Sequence, residues 1–346
     1  MAVVTRRIFL QTAAASGVVL ASESTGKNAW LRSASDQLRL ALIGMGPRGL
    51  DALAMLVAIP AARVVALCDS SPDRLAEGAS ALQRVGKAHP RIATRIEHLL
   101  EDPGVDALVI SGGFPNSIAK VPMLLAAKKP ILFDAPQTSS FEEAMSNLRA
   151  VSGAESIVRS RLADFVDPDS GALWRDHASL RMIGAPRAST LTSGQLVVSG
   201  WSPGGRTHSS LPMLACIHVL VSCSVEDDAM ADFAKEGGGG LRRVAQSQGY
   251  TRLQFGENSS FLQSVDVQRL AEPTAAPAVL RLIGEQGHLR CNGLAHAHSE
   301  GSARTILRFL GAIRSQPEAE TYGGQRAFLA AGLWTVLMAS NGTRRV

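Results

Sequence analysis

Three glycines at the spacing G-x-G-x-x-G carry the clearest chemical signal in the chain: Gly44, Gly46 and Gly49. They follow an apolar run, Leu40–Ile43, typical of a strand buried on both faces, and they precede apolar residues at helical spacing. In that order the first glycine permits a tight turn, the second lets a pyrophosphate approach the backbone, and the third lets helix and strand pack closely. The spacing alone is a weak signal among 32 glycines, but its position favours a dinucleotide-binding turn over an ordinary strand-to-helix turn.

An acidic residue stands where a dinucleotide site needs one. A second apolar run, 63–68, ends at Asp69, which lies 20 residues after Gly49. A carboxylate at this position accepts hydrogen bonds from the adenine-ribose hydroxyls and repels a 2′-phosphate, which favours NAD over NADP. Ser70 and Arg74 lie close by in the sequence and leave that preference open. The predicted cofactor is therefore NAD or NADP, with NAD slightly preferred.

Further candidate cofactor-binding residues stand beside the glycine turn and after later predicted strands. Sheets of the α/β class bind ligands at the carboxyl ends of their parallel strands. Predicted strands at 107–111 and 130–134 are followed by the short loops 112–116 and 135–137. Together with the glycines and Asp69, the candidates are Pro47, Arg48, Ser70, Gly112, Pro115, Asn116, Asp134 and Pro136.

Alternating strand and helix patterns organise the first half of the chain. Between 38 and about 160, apolar runs alternate with helical patterns at 72–85, 96–100, 117–127 and 140–151, and 156–159 is a candidate last strand. Such alternation predicts a Rossmann-type, doubly wound parallel sheet. We place this dinucleotide-binding domain at 36–160.

The second half predicts a different architecture. Helical patterns occur at 171–183, 211–223, 303–315 and 325–341, and strand-like stretches at 187–198, 251–255, 260–270, 278–284 and 288–292. Successive strands after a βαβ half indicate a mostly antiparallel sheet with flanking helices. We therefore predict a separate α+β domain for substrate binding or oligomerisation at 161–346, whose last helix is a candidate for packing back on the first domain.

Residues 1–35 predict a targeting segment and no part of the fold. The sequence TRRIFLQ at 5–11 resembles the twin-arginine export motif, and the weakly apolar stretch 12–21 after it is too short for a comfortable membrane span. The alternative is a basic N-terminus that contains two arginines by chance. We expect export to the periplasm by the twin-arginine machinery and no stable membrane span.

The charge gives no argument for nucleic-acid binding. The net charge is +5, but residues 1–35 carry four basic residues and one acidic residue, which leaves only +2 for the remainder. The four cysteines show no C-x-x-C and no ligand-like spacing with histidine, so structural thiols are expected. His296, His298 and Glu300 are more typical of a polar loop than of a metal site, and no metal is predicted.

In order and spacing, six segments resemble the glucose–fructose oxidoreductase / inositol dehydrogenase family (Gfo/Idh/MocA), in its exported, twin-arginine branch. They are IGMGPRG, VVALCDSSPDRL, LLEDPGVDALVISGGFPN, LLAAKKPILFDAPQTSSFEEA, IGEQGHLR, and the tail RFLGAIRS…GGQRAFLAAGLWTVLMASNGTRRV. The resemblance implies a Rossmann domain, a C-terminal sheet domain that often forms homo-oligomers face to face, and NAD(P)-linked redox chemistry on a sugar or polyol carbon.

The catalytic positions depart from the family pattern. The usual Glu-Lys-Pro reads Asp134-Ala135-Pro136 here, so the lysine expected at the substrate hydroxyl is an alanine. In the helix where the family has Asp, Gly and His at alternate positions, this chain has Leu214, Cys216 and His218, so only the histidine remains. The family's histidine after the Pro-Asn loop is also absent.

Hydride transfer from a carbinol needs a base for the hydroxyl proton and positive charge near the developing alkoxide. His218 is the candidate catalytic base, and a core histidine on an apolar helix is the alternative. Arg206 and His208, in a loop before that helix, are candidate substrate-binding residues or simply solvated loop residues. Arg161 is a third candidate substrate-binding residue, and a structural salt bridge explains it equally well.

The leading hypothesis is an exported NAD(P)-binding oxidoreductase acting on a sugar, polyol or related carbohydrate with diverged catalytic residues. The rival is a catalytically silent relative that serves as a binding or assembly protein in the periplasm. A periplasmic sugar-binding module without a cofactor is less favoured, because the three glycines and Asp69 all remain.

Overall fold

The computed structural model describes residues 37–87, 89–111, 121–136, 138–166, 193–198, 210–224, 242–247, 250–254, 264–270, 278–284, 286–294, 299–315 and 322–338. Along the chain the elements are β1 (Leu38–Ile43), α1 (Pro47–Ala58), β2 (Ala62–Cys68), α2 (Pro72–Arg84), β3 (Arg91–Ala93), α3 (Glu97–Leu100), β4 (Ala107–Ile110), α4 (Val121–Ala126), β5 (Ile131–Phe133), α5 (Phe141–Ser152), β6 (Val158–Ser160), a 3-10 turn (Leu162–Phe165), β7 (Ser193–Val198), α6 (Ser210–Ser224), β8 (Arg242–Ser247), β9 (Tyr250–Gln254), β10 (Ser264–Arg269), β11 (Ala278–Gly284), β12 (Gly287–Gly293), α7 (Ser299–Ser315) and α8 (Tyr322–Met338).

These elements form two compact units. The first comprises the described residues within Met1–Asp134, Ala154–Arg161 and Ser299–Thr321, and the second those within Ala135–Gly153, Leu162–His298 and Tyr322–Val346. The chain therefore crosses between the units several times. Helix α7, from the end of the chain, belongs to the first unit, whereas α5 belongs to the second.

A six-stranded parallel sheet forms the centre of the first unit, with the order β3-β2-β1-β4-β5-β6. Its central strands are apolar runs buried on both faces, as Leu40–Ile43 shows, because helices cover both sides of such a sheet. Side chains of α1 and α7 share one core with the sheet, including Leu53, Phe309 and Leu310. The predicted Rossmann-type sheet is confirmed.

The second unit contains a six-stranded sheet with the order β12-β11-β7-β10-β9-β8. All of its pairs are antiparallel except β10 with β7, so the predicted, mostly antiparallel sheet is confirmed. Burial alternates along β11, which shows that one face of the sheet is covered. Helix α6 contacts β11, β12 and α8, and α8 contacts α5. A Cβ at Gly332 would lie 2.8 Å from the Cβ of Ala144, so a glycine lets these two helices approach closely.

Several predicted elements differ from the structure in extent. Strands β3 and β8 have no counterpart in the sequence patterns, and α7 begins at Ser299, four residues before the predicted start at 303. Strand β3 lies at a sheet edge with two of its three residues exposed, so it lacks an apolar run. The predicted helix at 171–183 and the targeting segment at 1–35 lie outside the described residues. Among the helices within the described ranges, none is long and apolar enough to span a membrane.

Candidate dinucleotide site

The glycine turn between β1 and α1 is built so that two of its glycines are required by packing. Gly44 has φ +87°, and a Cβ there would lie less than 3.0 Å from the carbonyl oxygen of Ser111, which follows β4. A Cβ at Gly49 would overlap the carbonyl oxygen of Gly44 at a similarly short distance. The Gly44 N–H donates to the Cys68 carbonyl at 2.8 Å, so the turn is fixed to β1, β2 and β4.

Gly46 is different, because its backbone does not require glycine and its surroundings are open. It has φ −67° and ψ −174°, and a Cβ there would meet nothing within 4 Å. Gly46 is the N-cap of α1, and no side chain caps the helix. The first helical bond runs from the Leu50 N–H to the Gly46 carbonyl at 3.0 Å, so the N–H groups of Arg48 and Gly49 have no intrahelical acceptor. An open space at the positive end of a helix fits a pyrophosphate.

Asp69 lies at the end of β2 and is fixed to the glycine turn. Its residue is 4% exposed. Oδ2 accepts the Met45 N–H at 2.7 Å, and Oδ1 accepts the Ser71 N–H at 2.9 Å. A carboxylate oxygen can accept a second hydrogen bond, so both oxygens keep capacity for ribose hydroxyls. The arrangement thus combines open space at Gly46 with an ordered acceptor at the end of the neighbouring strand, and the residues present fit a dinucleotide.

Met45, between the first two glycines, shows how the turn is anchored. Its side chain is fully buried, and its sulfur and terminal methyl lie close to Gly78 of α2. Its backbone N–H is the donor that Asp69 accepts. The turn, the end of β2 and α2 are therefore held together by one residue, which the sequence analysis did not select.

Asp134 and Arg161 form a buried ion pair at the end of β5. The Arg161 Nη1 lies 2.8 Å from the Asp134 Oδ1, and each side chain is 2% exposed. The Arg161 N–H donates to the Phe133 carbonyl at 2.7 Å, and the Asp134 N–H donates to the Ile110 carbonyl at 2.9 Å. The structure therefore shows the salt-bridge alternative for Arg161. Neither side chain is exposed to a ligand in this arrangement, and their cofactor and substrate roles stay predictions.

His218 lies in α6, within the second unit, and is 8% exposed. Its carbonyl oxygen accepts the Ser222 hydroxyl at 2.8 Å. Leu214 and Cys216, which stand where the family pattern has Asp and Gly, are buried. The helix is buried along 211–221, so His218 has apolar neighbours on its own helix, and its assignment as a base stays a prediction.

The remaining candidate residues differ in burial, and several lie outside the described residues. Ser70 and Pro47 are exposed at the surface of the first unit, Arg48 is partly buried, and Pro136 is buried in the second unit. Five candidates lie outside the described residues: Gly112, Pro115, Asn116, Arg206 and His208. Within the described ranges, no group of three or more His, Cys, Asp or Glu side chains is placed to hold a metal ion.

Ser111 is a candidate that the sequence analysis missed. Its residue is fully buried beside Gly44, and its Oγ has no hydrogen-bond partner among the described residues. Its position at the carboxyl end of a central parallel strand is the signal that could have selected it.

Comparison with known proteins establishes the fold of the chain. No protein-family model matches the chain. A glycosyl hydrolase family 109 protein of Stenotrophomonas maltophilia is 38% identical over 113 residues, which are 31% of this chain and 24% of that protein. The chain spans only 12–25% of the length of the curated relatives it matches.

Solved structures align over most of both chains. The myo-inositol dehydrogenase of Lactobacillus casei, in complex with NAD(H) and myo-inositol, is 13% identical with a TM-score of 0.59, covering 90% of this chain and 97% of that one. The scyllo-inositol dehydrogenase of the same organism, with NAD(H) and scyllo-inositol bound, is 13% identical with a TM-score of 0.58, covering 85% and 95%. At this identity the likeness shows the fold alone. The chain has the two-sheet fold of the inositol dehydrogenases, which confirms the family resemblance that its motifs predicted, whereas the exported, twin-arginine branch stays a prediction.

Proposed function

We propose that this chain is a Gfo/Idh/MocA protein that binds NAD or NADP at the glycine turn and acts as an oxidoreductase on a CH–OH group of a sugar, polyol or related carbohydrate. The observation that carries the proposal is the contrast among the three glycines. Gly44 and Gly49 are required by packing, whereas Gly46 leaves an open space at an uncapped helix N-terminus. The inositol dehydrogenases with the same fold bind NAD(H) and inositols, which supports the same classes of cofactor and substrate here.

Each part of the site has a role in this proposal. The free N–H groups at the start of α1 hold the pyrophosphate, and Asp69 accepts hydrogen bonds from the adenine ribose. A bound nicotinamide accepts or delivers a hydride. The chain's own residues must then remove or return the hydroxyl proton, and His218 is the proposed base. Arg206 and His208 are the proposed substrate contacts, because Ala135 supplies no cation.

Cleavage of a glycoside is a second candidate reaction. The curated relatives that match part of the chain carry the name glycosyl hydrolase family 109 protein. Glycoside hydrolysis with the help of NAD is a known exception to the two-carboxylate mechanism, so the two candidates share the proposed cofactor site. They differ in product: an oxidised carbohydrate in one case, and a free sugar plus its leaving group in the other.

A catalytically silent binding or assembly protein is the alternative to both reactions. Ala135 and Leu214 stand where the family has its lysine and aspartate, and the charges of Asp134 and Arg161 are buried and paired with each other. In this alternative the nucleotide is bound but not turned over.

Binding and turnover are measured separately. Calorimetric titration of the full chain with NAD and NADP tests the cofactor site, and absence of binding to folded protein contradicts the proposal. Assays then follow nicotinamide reduction with inositols and sugars, and release of nitrophenol from nitrophenyl glycosides with and without NAD. Loss of turnover in His218→Ala supports an enzymatic function with His218 as the base. His288→Ala, which changes an exposed histidine in β12, is the control and should keep its turnover. Activity that appears only in the double variant Ala135→Lys, Leu214→Asp supports the silent alternative.

We also propose export to the periplasm by the twin-arginine machinery and assembly as a homo-oligomer. Arg6 and Arg7 in the segment TRRIFLQ support the first proposal, and the family resemblance supports the second. A reporter fused to residues 1–35 should reach the periplasm, and the change Arg6→Lys with Arg7→Lys should stop it. Light scattering of the purified chain gives the oligomeric mass, and a monomer at micromolar concentration contradicts the second proposal.

A further inference from the structure

A fully buried carboxylate lies in the turn that packs against the helix of His218. Asp164 belongs to the 3-10 turn Leu162–Phe165, and its residue is 0% exposed. This turn packs against α6, and both belong to the second unit. A buried carboxylate is unfavourable in a folded protein unless a cation or hydrogen-bond donors compensate its charge. The elements around Asp164 must therefore supply such a group.

The position of the turn is fixed by the end of β12. The Leu294 N–H donates to the Phe165 carbonyl at 2.6 Å, and Val166 pairs with Gly293 in an isolated antiparallel bridge. A Cβ at Gly293 would overlap the carbonyl oxygen of Pro212, near the start of α6. The turn, the end of β12 and α6 therefore meet in one closely packed region.

His218 lies on the side of α6 that faces away from β12. The Sγ of Cys216 lies 4.0 Å from the Cys291 carbonyl oxygen, so Cys216 marks the side of the helix that faces β12. His218 follows two residues later, which is a rotation of about 200° around the helix axis. Its residue is only 8% exposed, so other elements cover this side, and both the 3-10 turn and α8 contact α6.

His218 is the basic residue that α6 can offer to Asp164. The sequence of α6, Ser210–Ser224, contains one histidine and no lysine or arginine. The hydroxyl of Ser222 already donates to the His218 carbonyl oxygen. An imidazole that donates its Nδ1–H to a carboxylate keeps the Nε2 lone pair for a proton from another group, and this is how a carboxylate orients a general base.

We propose that Asp164 is a positioning residue, which accepts the Nδ1–H of His218 and so presents Nε2 to the substrate hydroxyl. This inference rests on the proposed function and deepens it, because it names the group that orients the proposed base. The carbinol O–H proton passes to Nε2, the imidazolium keeps its Nδ1–H bond to Asp164, and the C–H hydride passes to the nicotinamide, which is reduced as the carbinol becomes a carbonyl. The orienting carboxylate thus comes from the turn, since position 214 of α6 is a leucine.

The experiment records nitrogen-15 spectra of the full chain labelled at its histidines, at about pH 8, where an ordinary imidazole is neutral. His218→Gln identifies the His218 signal by its loss. The test variants are Asp164→Asn and Asp164→Glu. Asp266→Asn is the matched control, because Asp266 is a carboxylate of the same unit that pairs with Arg252 at 2.6 Å. Arg326→Met removes the one basic residue of α8, the other helix that contacts α6.

The wild-type His218 signal should be that of a single tautomer protonated at Nδ1. Asp164→Asn should shift it to the Nε2–H tautomer, because an amide N–H then donates to Nδ1. Asp164→Glu should keep the Nδ1–H tautomer but move its proton signal, because the hydrogen bond changes length. Asp266→Asn and Arg326→Met should leave the His218 signal unchanged. In turnover of myo-inositol with NAD, Asp164→Asn should lower kcat by about 100-fold and leave KM within about threefold.

Three results overturn the inference: a wild-type His218 in the Nε2–H tautomer, a tautomer that Asp164→Asn leaves unchanged, or one that Arg326→Met changes in the same way as Asp164→Asn. If Asp164→Asn does not fold, Asp164→Glu decides, and an Nδ1–H proton signal identical to that of the wild type overturns the inference. A wild-type chain that shows the expected tautomers but turns over no carbohydrate contradicts the proposed function and leaves the pairing of Asp164 with His218 standing.

Discussion

Replacing Gly46 with serine should separate the binding role of the glycine turn from its structural role. The backbone of Gly46, at φ −67° and ψ −174°, is allowed for serine, and a Cβ there meets nothing within 4 Å. Serine is also a better N-cap than glycine, by a few tenths of a kcal/mol. Gly46→Ser should therefore leave the free energy of unfolding unchanged or slightly higher.

The same substitution should damage nucleotide binding. A serine side chain fills the space in which a pyrophosphate would reach the first N–H groups of α1, and its hydroxyl competes for those donors. Loss of one hydrogen bond to a charged group costs about 1.5–3 kcal/mol, which corresponds to about 10- to 150-fold in Kd. We expect weakening of at least this size for NAD and NADP alike, because both carry the pyrophosphate.

Gly49→Ala provides the contrast. A Cβ at Gly49 would lie less than 3.0 Å from the backbone carbonyl oxygen of Gly44, so the turn must distort. We expect a loss of about 3 kcal/mol or more in the free energy of unfolding. Urea unfolding without nucleotide and calorimetric titration with nucleotide measure the two effects separately. Gly46→Ser that binds NAD as tightly as wild type, or that unfolds like Gly49→Ala, would refute the reasoning.

Three further predictions concern the supports of the first sheet. Asp69→Ala should lower the free energy of unfolding of the nucleotide-free protein by about 1–3 kcal/mol, because two backbone N–H groups lose their acceptor; unchanged urea unfolding would contradict this. Asp134→Leu or Arg161→Met alone should lower the free energy of unfolding by about 3–5 kcal/mol, because each leaves one buried charge unpaired. The double variant should recover most of this loss, and additive losses would contradict the ion pair. Burial raises the pKa of Asp106, but hydrogen bonds and charge from Arg39 outweigh it and hold the pKa below its ordinary value of 3.8. A carboxyl group whose pKa is lowered by folding stabilises the folded state at pH values above its unfolded-state pKa. This stabilisation is lost as the pH falls through its folded-state pKa, so Asp106→Asn should lower the free energy of unfolding at about pH 7 and have little effect near pH 2. Equal effects at both pH values would contradict that assignment.

Local patterns were sufficient to predict the glycine turn and the strands of the first sheet other than the edge strand β3. The buried run Leu40–Ile43, the glycine spacing and the helical pattern after it are contiguous in sequence, and each signal specifies the same strand–turn–helix unit. The second sheet is predicted less completely. Strand β8 begins with two arginines and lacks an apolar run, and the parallel pairing of β10 with β7 depends on topology, which no local pattern specifies.

The contacts that complete the candidate site depend on the fold. The bond between Asp69 and the Met45 N–H joins residues 24 positions apart, and the ion pair of Asp134 with Arg161 joins residues 27 positions apart. Sequence reasoning selected Asp69, Asp134 and Arg161 individually. It left the roles of Arg161 open, because the partner of a charged residue across such a distance is set by strand order in the sheet.

The central claim is that the first unit binds a nicotinamide dinucleotide at the glycine turn. Its most direct test is mass spectrometry of the small molecules released on denaturing the natively purified full chain, with melting temperatures measured after adding NAD or NADP. The account predicts that NAD or NADP is released, or that one of them raises the melting temperature in proportion to the logarithm of its concentration at saturation. A folded protein that releases no nucleotide and is stabilised by neither would contradict it.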